Sequence, residues 1–229
     1  MNHNFIFQKI IEVYKQYAVR SFPIDCVALI EAAGYRVLSY GTLLEKSPEL
    51  YELCLEYSED AYREPKTKIV AYNQEMPSGR IRFSLAHELG HIILEHPSNA
   101  DYYEQEANYF AAHLLAPQMA IHYARCKNEA DVASNFDLSE EAARYAFDNY
   151  RRWHRNIVSH GKKMSPLDRE MYHHFYDAKH KAFIWRRGQC YLCGRSMVNG
   201  QWCRFCEASR LRVAMTYEWV LPEMESDYI

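Results

Sequence analysis

"RFSLAHELGHIILEH", Arg82 to His96, sets two histidines four residues apart, with a glutamate directly after the first, in an otherwise apolar run. On a helical wheel Leu85, Ala86, Leu89, Ile92 and Ile93 fill one broad arc. His87 and His91 fall roughly 40° apart on the opposite side. Glu88 lies between the histidine edge and the apolar arc. A helix so built is buried on one face and offers two imidazoles on another. Side chains one turn apart can reach a single ion, and zinc takes imidazole nitrogen at about 2.0–2.1 Å in a tetrahedral site. Glu88 points to the side, where water on such an ion would sit, and this is the place of a general base. Gly90, beside the histidines, permits close approach of neighbouring backbone. The competing reading is a helix with two ordinary histidines. The apolar wall and an acidic helix downstream weigh against it.

A catalytic zinc usually has three protein ligands and one open position. Downstream of the two histidines stand His96, Asp101, Glu104, Glu106 and His113. The metzincin pattern would need glycine at 94 and histidine at 97, where this chain has Leu94 and Pro97. The stretch "DYYEQEANYFAAHLLAP", 101–117, reads as a second helix with Tyr103, Ala107, Phe110 and Leu114 at the centre of its core face. Glu104 and Glu106 flank that core on opposite sides. Periodicity alone leaves the choice between them open.

Working outward, residues 2–20 read as an amphipathic helix carrying Lys9, Glu12 and Lys15, not as a signal peptide. Asp25 is the expected N-cap of a helix through Ala33, with Gly34 as its stop and "YRVLSY" as a following strand. "ELYELCLEY" is helix or strand. "TKIVAYN", 67–73, alternates as a half-buried strand does. Ser78 is the expected N-cap of the His-Glu helix and Pro97 its stop. Two helices are expected over 131–150, broken at "NFDL", with Ser139 capping the second. Residues 151–182 are polar, basic and rich in histidine. They read as a connector with some helix, in which His173, His174 and His180 are solvated.

"LAHELGHIILEH" followed by "EQEANYFAAHLLAP" resembles the ImmA/IrrE family of metallopeptidases. "PID" with "LIEAAGYRV" upstream, the closing "LLAP" and the helix pair at 131–150 also fit, so the resemblance covers roughly residues 20–150. It implies an α+β fold, a compact gluzincin-like domain with helices around a small sheet. It also implies that His87, His91 and Glu106 hold a catalytic zinc, with Glu88 as the catalytic residue. The implied activity is proteolysis of a helix-turn-helix transcriptional repressor, often in a mobile element or stress circuit. The common "LLMP" of the family is "LLAP" here.

"CYLCGRSMVNGQWCRFC" presents Cys190, Cys193, Cys203 and Cys206 as two Cys-x-x-Cys pairs with Gly194 and Gly200 between them. Each pair can clamp one side of a tetrahedral ion, as in a zinc ribbon. A redox motif would instead place one pair at the start of a helix after a strand. The expected organisation is a metallopeptidase domain over 1–155, a connector over 156–182 and a four-cysteine zinc ribbon over 183–229. It calls for one catalytic and one structural zinc. So short a ribbon buries little core, so the metal supplies its folding free energy.

The seven cysteines are odd in number, which with no export signal points to reduced thiols in the cytoplasm. No run of apolar residues is long enough for a membrane span. The net charge of −3 argues against nucleic-acid binding by bulk electrostatics. The ribbon is locally basic through Arg186, Arg187, Arg195, Arg204, Arg210 and Arg212. Trp185, Tyr191, Trp202 and Phe205 are interleaved, a pattern that can contact nucleic acid or a substrate protein. The 131–150 pair also resembles a DNA-binding helix-turn-helix. Its second helix, however, begins with Glu140 and Glu141, which face phosphates badly. The pair therefore reads as scaffold or substrate dock, and the rival to a protease is a DNA- or partner-binding regulator that uses the ribbon or this pair, with little or no peptidase activity.

Overall fold

The computed structural model describes residues 1–98, 100–161, 163–200 and 203–207. It divides into two compact units between Trp185 and Arg186.

The first unit begins with helix α1 (His3–Gln16), whose Ile6, Ile10, Ile11, Val13 and Tyr14 are buried. Helix α2 (Cys26–Ala32) is capped by Asp25, whose side chain accepts from the Ala28 amide. Strand β1 (Arg36–Ser39) follows, then helices α3 (Tyr40–Lys46) and α4 (Pro48–Tyr57). "ELYELCLEY" is thus helical, with Pro48 in its first turn, where a missing N–H does no harm. Strands β2 (Ala61–Glu64) and β3 (Ile69–Tyr72) complete a three-stranded sheet of order β1-β3-β2. The central strand β3 runs parallel to β1 and antiparallel to β2, which leaves β2 at an edge. The alternation of β3 is real, but both its faces are covered. Val70 belongs to the main core, while Ile69 and Ala71 join Tyr40, Leu43 and Cys54 in a smaller cluster on the side of α3 and α4.

Helix α5 (Ser78–Ile93) carries the His-Glu motif, and helix α6 (Asp101–Leu115) packs along it. Ser78 is not the cap; Pro77 is, and the Ser78 hydroxyl donates instead to Asp137 Oδ1 at 2.9 Å. Helix α5 ends at Ile93, before Pro97, in a left-handed Glu95. Helices α7 (Gln118–Tyr123), α8 (Glu129–Phe136) and α9 (Glu140–His154) follow. Left-handed Asp137 makes the α8–α9 break, and the Ser139 hydroxyl caps α9.

The expected connector is largely part of the first unit. Helix α10 (Pro166–Phe175) packs on α1 and buries Met171 and Phe175, and the hairpin β4 (Tyr176–Asp177) with β5 (Ala182–Phe183) buries Phe183. Three apolar residues with helical or strand spacing suffice to anchor a segment that is otherwise polar and basic. His174 is not simply solvated, since its Nε2 lies 2.7 Å from the Val19 carbonyl oxygen.

In the second unit, β6 (Arg187–Gln189) pairs antiparallel with β7 (Ser196–Val198), and 204–207 is helical. Trp202, Arg210 and Arg212 of the expected basic-aromatic surface lie outside the described residues. Among the described residues, no helix is long and apolar enough to cross a membrane.

Candidate metal centre

Two packed helices build the site. On α5 the missing side chain of Gly90 lets α6 come close: a Cβ there would stand 3.2 Å from the Ala107 Cα and 3.1 Å from the Phe110 ring. That contact fixes which edge of α6 faces the histidines. Glu104 lies one turn before Ala107 and Asn108, on the facing edge.

The His87 and His91 Nε2 atoms are 3.1 Å apart. Glu104 places Oε2 3.1 Å from His87 Nε2 and Oε1 3.3 Å from His91 Nε2. Atoms bound at about 2.0 Å to one tetrahedral ion lie roughly 3.3 Å apart, so these three groups have the spacing of a zinc half-shell. Their chemistry fits as well. The His87 Nδ1 sits 3.0 Å from the Asn108 side-chain oxygen, which takes the ring proton and leaves Nε2 as a lone pair.

Glu106, which the resemblance implied as the third ligand, is not at this corner. Two residues along a helix turn about 200°, so Glu104 and Glu106 cannot share a face. Glu106 lies instead 3.4 Å from His96 Nε2. His96 is buried behind His91, and the Nδ1 atoms of the two rings are 3.0 Å apart. His113 is remote from the group: its Nδ1 faces the Tyr109 carbonyl oxygen at 2.9 Å, and burial pushes its pKa down to about 4.

Burial pushes the Glu88 carboxyl up to about 7, partly offset by His87 and Arg63. In the chain without metal it is therefore poised to gain or lose a proton near neutrality, as a general base requires. Burial also lowers His91, to about 4, which keeps its ring neutral and able to donate a lone pair. Burial lowers His87 too, but its hydrogen bond to Glu104 and the Glu88 charge outweigh that and raise it. The same bond to His87 lowers Glu104.

Glu88, His87 and Glu104 open into a cleft of about 430 Å³ walled by Tyr57, Tyr62 and Phe83. Tyr57 and Tyr62 stack at 4.8 Å beside the edge strand β2. A second cavity of about 880 Å³, lined by Arg80, Gln105, Glu140, Glu141 and Tyr145, shares Asp60, Phe83, Ser84 and Asn108 with the first. The start of α9 thus borders the groove that leads to the histidines.

Sequence reasoning missed Asn108, whose signal was its position one turn after Glu104. It also missed β2, because "AYRE" carries no clear alternation.

In the second unit, the Sγ atoms of Cys190 and Cys206, and of Cys193 and Cys203, are each 3.6 Å apart, and all four lie within 4.8 Å of one another. Zinc–sulfur bonds of about 2.3 Å put thiolates roughly 3.8 Å apart, so the cluster has the dimensions of a zinc-ribbon site. Hydrogen bonding from Arg195 pulls Cys193 down to about 6, while neighbouring Cys193 pushes Cys206 up to about 12. A second thiolate beside the first needs a cation.

Residues 51–148, from α4 into α9, match the model of a peptidase family described as IrrE N-terminal-like domain. Over that span the chain is similar to this family. That match spans β2, α5 and α6, and so every group of the histidine site. The ribbon lies outside it. No curated protein matches the chain. Among solved structures, a Mycobacterium tuberculosis transcriptional regulator aligns with a TM-score of 0.41 and 14% identity, over 61% of this chain and 45% of that one. The chain therefore spans less than half of that protein's length.

Proposed function

We propose that the chain is a zinc metallo-endopeptidase whose ligands are His87, His91 and Glu104 and whose general base is Glu88. The observation that carries this is the convergence of three ligand atoms beside the half-buried Glu88 carboxyl, in a cleft of about 430 Å³. Bound zinc supplies Lewis acidity, which polarises a carbonyl and makes water nucleophilic near neutral pH. Glu88 takes the proton of the attacking water and passes it to the leaving amine. Tyr57, Tyr62 and Phe83 hold the peptide and limit water. The ribbon binds a second, structural zinc through its four cysteines, and the unpaired thiols suit a cytoplasmic protein.

The substrate proposed is a helix-turn-helix transcriptional repressor. This rests on the resemblance to the ImmA/IrrE family, not on the geometry. The α8–α9 pair serves as a groove wall in this reading. The acidic Glu140 and Glu141 border the cavity and are poorly placed to meet DNA phosphates.

The test uses zinc-loaded chain and a proteome-derived peptide library read by mass spectrometry. Wild type is expected to cut. Glu88→Gln is expected to keep its zinc by elemental analysis and to cut about 10²–10⁴-fold more slowly. A Glu88→Gln variant that cuts at the wild-type rate sinks the mechanism.

A further inference from the structure

The cap of α5 sends the chain back across its own last turn. Glu95, with φ of 56°, donates its amide to the Ile92 carbonyl oxygen, and His96 donates to that of His91 at 3.0 Å. These two bonds are the paired bonds of a Schellman cap, closed around a non-glycine residue in the left-handed region. Their effect is to fold the His96 ring over the ring of His91, at 4.9 Å between centroids and nearly perpendicular. Tyr103 of α6 packs on the other side of His96 at 4.7 Å, and the Arg63 guanidinium reaches the His96 carbonyl oxygen at 3.4 Å. His96 is held by its own backbone, by α6 and by β2.

The protons along this chain of groups have one consistent arrangement. The His91 Nε2 faces His87 and Glu104, so a ligand role requires it to be a lone pair. Its Nδ1 then carries the hydrogen and donates to His96 Nδ1, 3.0 Å away. That makes His96 Nδ1 an acceptor and puts the His96 proton on Nε2. Glu106 Oε2 lies 3.4 Å from Nε2, close but not aligned as a hydrogen bond, where the His96 and Glu106 side chains are only 2% and 12% exposed. A buried carboxylate, an imidazole and a second imidazole thus line up behind one ligand corner.

We propose that His96 and Glu106 are positioning residues: they hold His91 in the tautomer and orientation that present Nε2 to the metal, and they strengthen it as a donor. The proposal rests on the reading of His87, His91 and Glu104 as a metal site. Glu106 acts at two removes from the ion, through His96, and not as its ligand. Outer partners of this kind typically set metal affinity by about 10–100-fold.

The experiment is a zinc titration of the full chain against a chromophoric chelator, paired with cobalt(II) absorption spectra. Cobalt at the four cysteines shows thiolate charge-transfer bands, which separates that site from the histidine site. His96→Phe keeps a ring against Tyr103 but removes the acceptor. His96→Asn restores an acceptor at the place of Nδ1. Glu106→Gln keeps size and removes charge. Expected are a loss of zinc affinity of about 10–100-fold for His96→Phe, recovery of most of it in His96→Asn, a smaller loss in Glu106→Gln, and a shifted cobalt d–d band in His96→Phe. Wild-type affinity in His96→Phe overturns the proposal. So does an Asn variant as weak as the Phe variant, since packing alone would then explain the loss. If a His96 variant fails to fold, Glu106→Gln decides: unchanged affinity there overturns the relay. Failure of the parent reading looks different, because wild type and a His87→Ala/His91→Ala double variant would then bind the same amount of zinc.

Discussion

At the scale of single residues, the two glutamates of α6 make the sharpest contrast. Glu104 touches both Nε2 atoms, at 3.1 and 3.3 Å, whereas Glu106 meets His96 and Tyr102 and neither of those atoms. Glu104→Gln removes the charge of the proposed ligand and is expected to weaken zinc binding by more than the roughly 100-fold that marks the upper end for outer partners. Glu106→Gln should stay below that bound. Competition titrations on the two variants check the order, and a reversed order would return the ligand role to Glu106. The meeting of His87 and His91 was legible from spacing alone, because i and i+4 share a face in any helix. Glu104 was not. The wheel of α6 shows two glutamates flanking one core, and which flank meets α5 depends on how closely Gly90 lets Ala107 approach. That is a tertiary fact with no one-dimensional signal.

At the scale of elements, the start of α5 is tied to the α8–α9 turn. Arg82 donates to Asp137 Oδ2 from Nη2 at 2.7 Å and from Nε at 3.2 Å, and also reaches the Ile24 carbonyl oxygen. A Cβ on Gly79 would stand 2.5 Å from the Leu138 carbonyl carbon, so the helix and the turn cross backbone to backbone. This clamp aligns α9 beside the cleft. Burial alone would raise the Asp137 carboxyl, but hydrogen bonds from Arg82 and Ser78 outweigh it and hold it below its ordinary value of 3.8. A depressed carboxyl contributes stability that is fully present above its unfolded value and is lost as pH falls through the folded one. Asn tolerates the left-handed backbone at 137, so Asp137→Asn isolates the charge. It is expected to destabilise the chain by about 1 kcal/mol at pH 7. The gap should close as pH falls below roughly 4. Thermal unfolding across that range measures it, and a gap independent of pH would mean the charge contributes nothing. The sequence announced α5, α6, the α8–α9 break and the Ser139 cap, since each has a cap or a period of its own. It hid β2, a four-residue edge strand recognisable only by its pairing with β3. It also hid the role of Ser78, whose hydroxyl is taken by a residue far along the chain.

At the scale of the whole molecule, the two units rest on different sources of stability. The polar run before Trp185 read as a connector because its charge masks Met171, Phe175 and Phe183, which anchor it in the first core. Beyond Trp185 the balance reverses. Among the described residues of the second unit, only Cys190 and Val198 are buried, and its sheet has two strands of three residues. An isolated hairpin of that size is marginal in water, so the proposed zinc at the four cysteines would contribute most of its folding free energy. Removing zinc with a chelator is therefore expected to unfold the segment around Cys190 to Cys206 and to leave the core of the first unit standing. Far-ultraviolet circular dichroism should lose little helical signal, because α1 to α10 all lie before Trp185. Limited proteolysis should then cut within 186–206 and spare α5 and α6. The first unit should also lose some thermal stability, since a ligand bound to the folded state stabilises it by mass action. If the cysteine segment resisted protease without metal, its stability would have to come from elsewhere, and the ribbon reading would fail while the histidine site stood untouched.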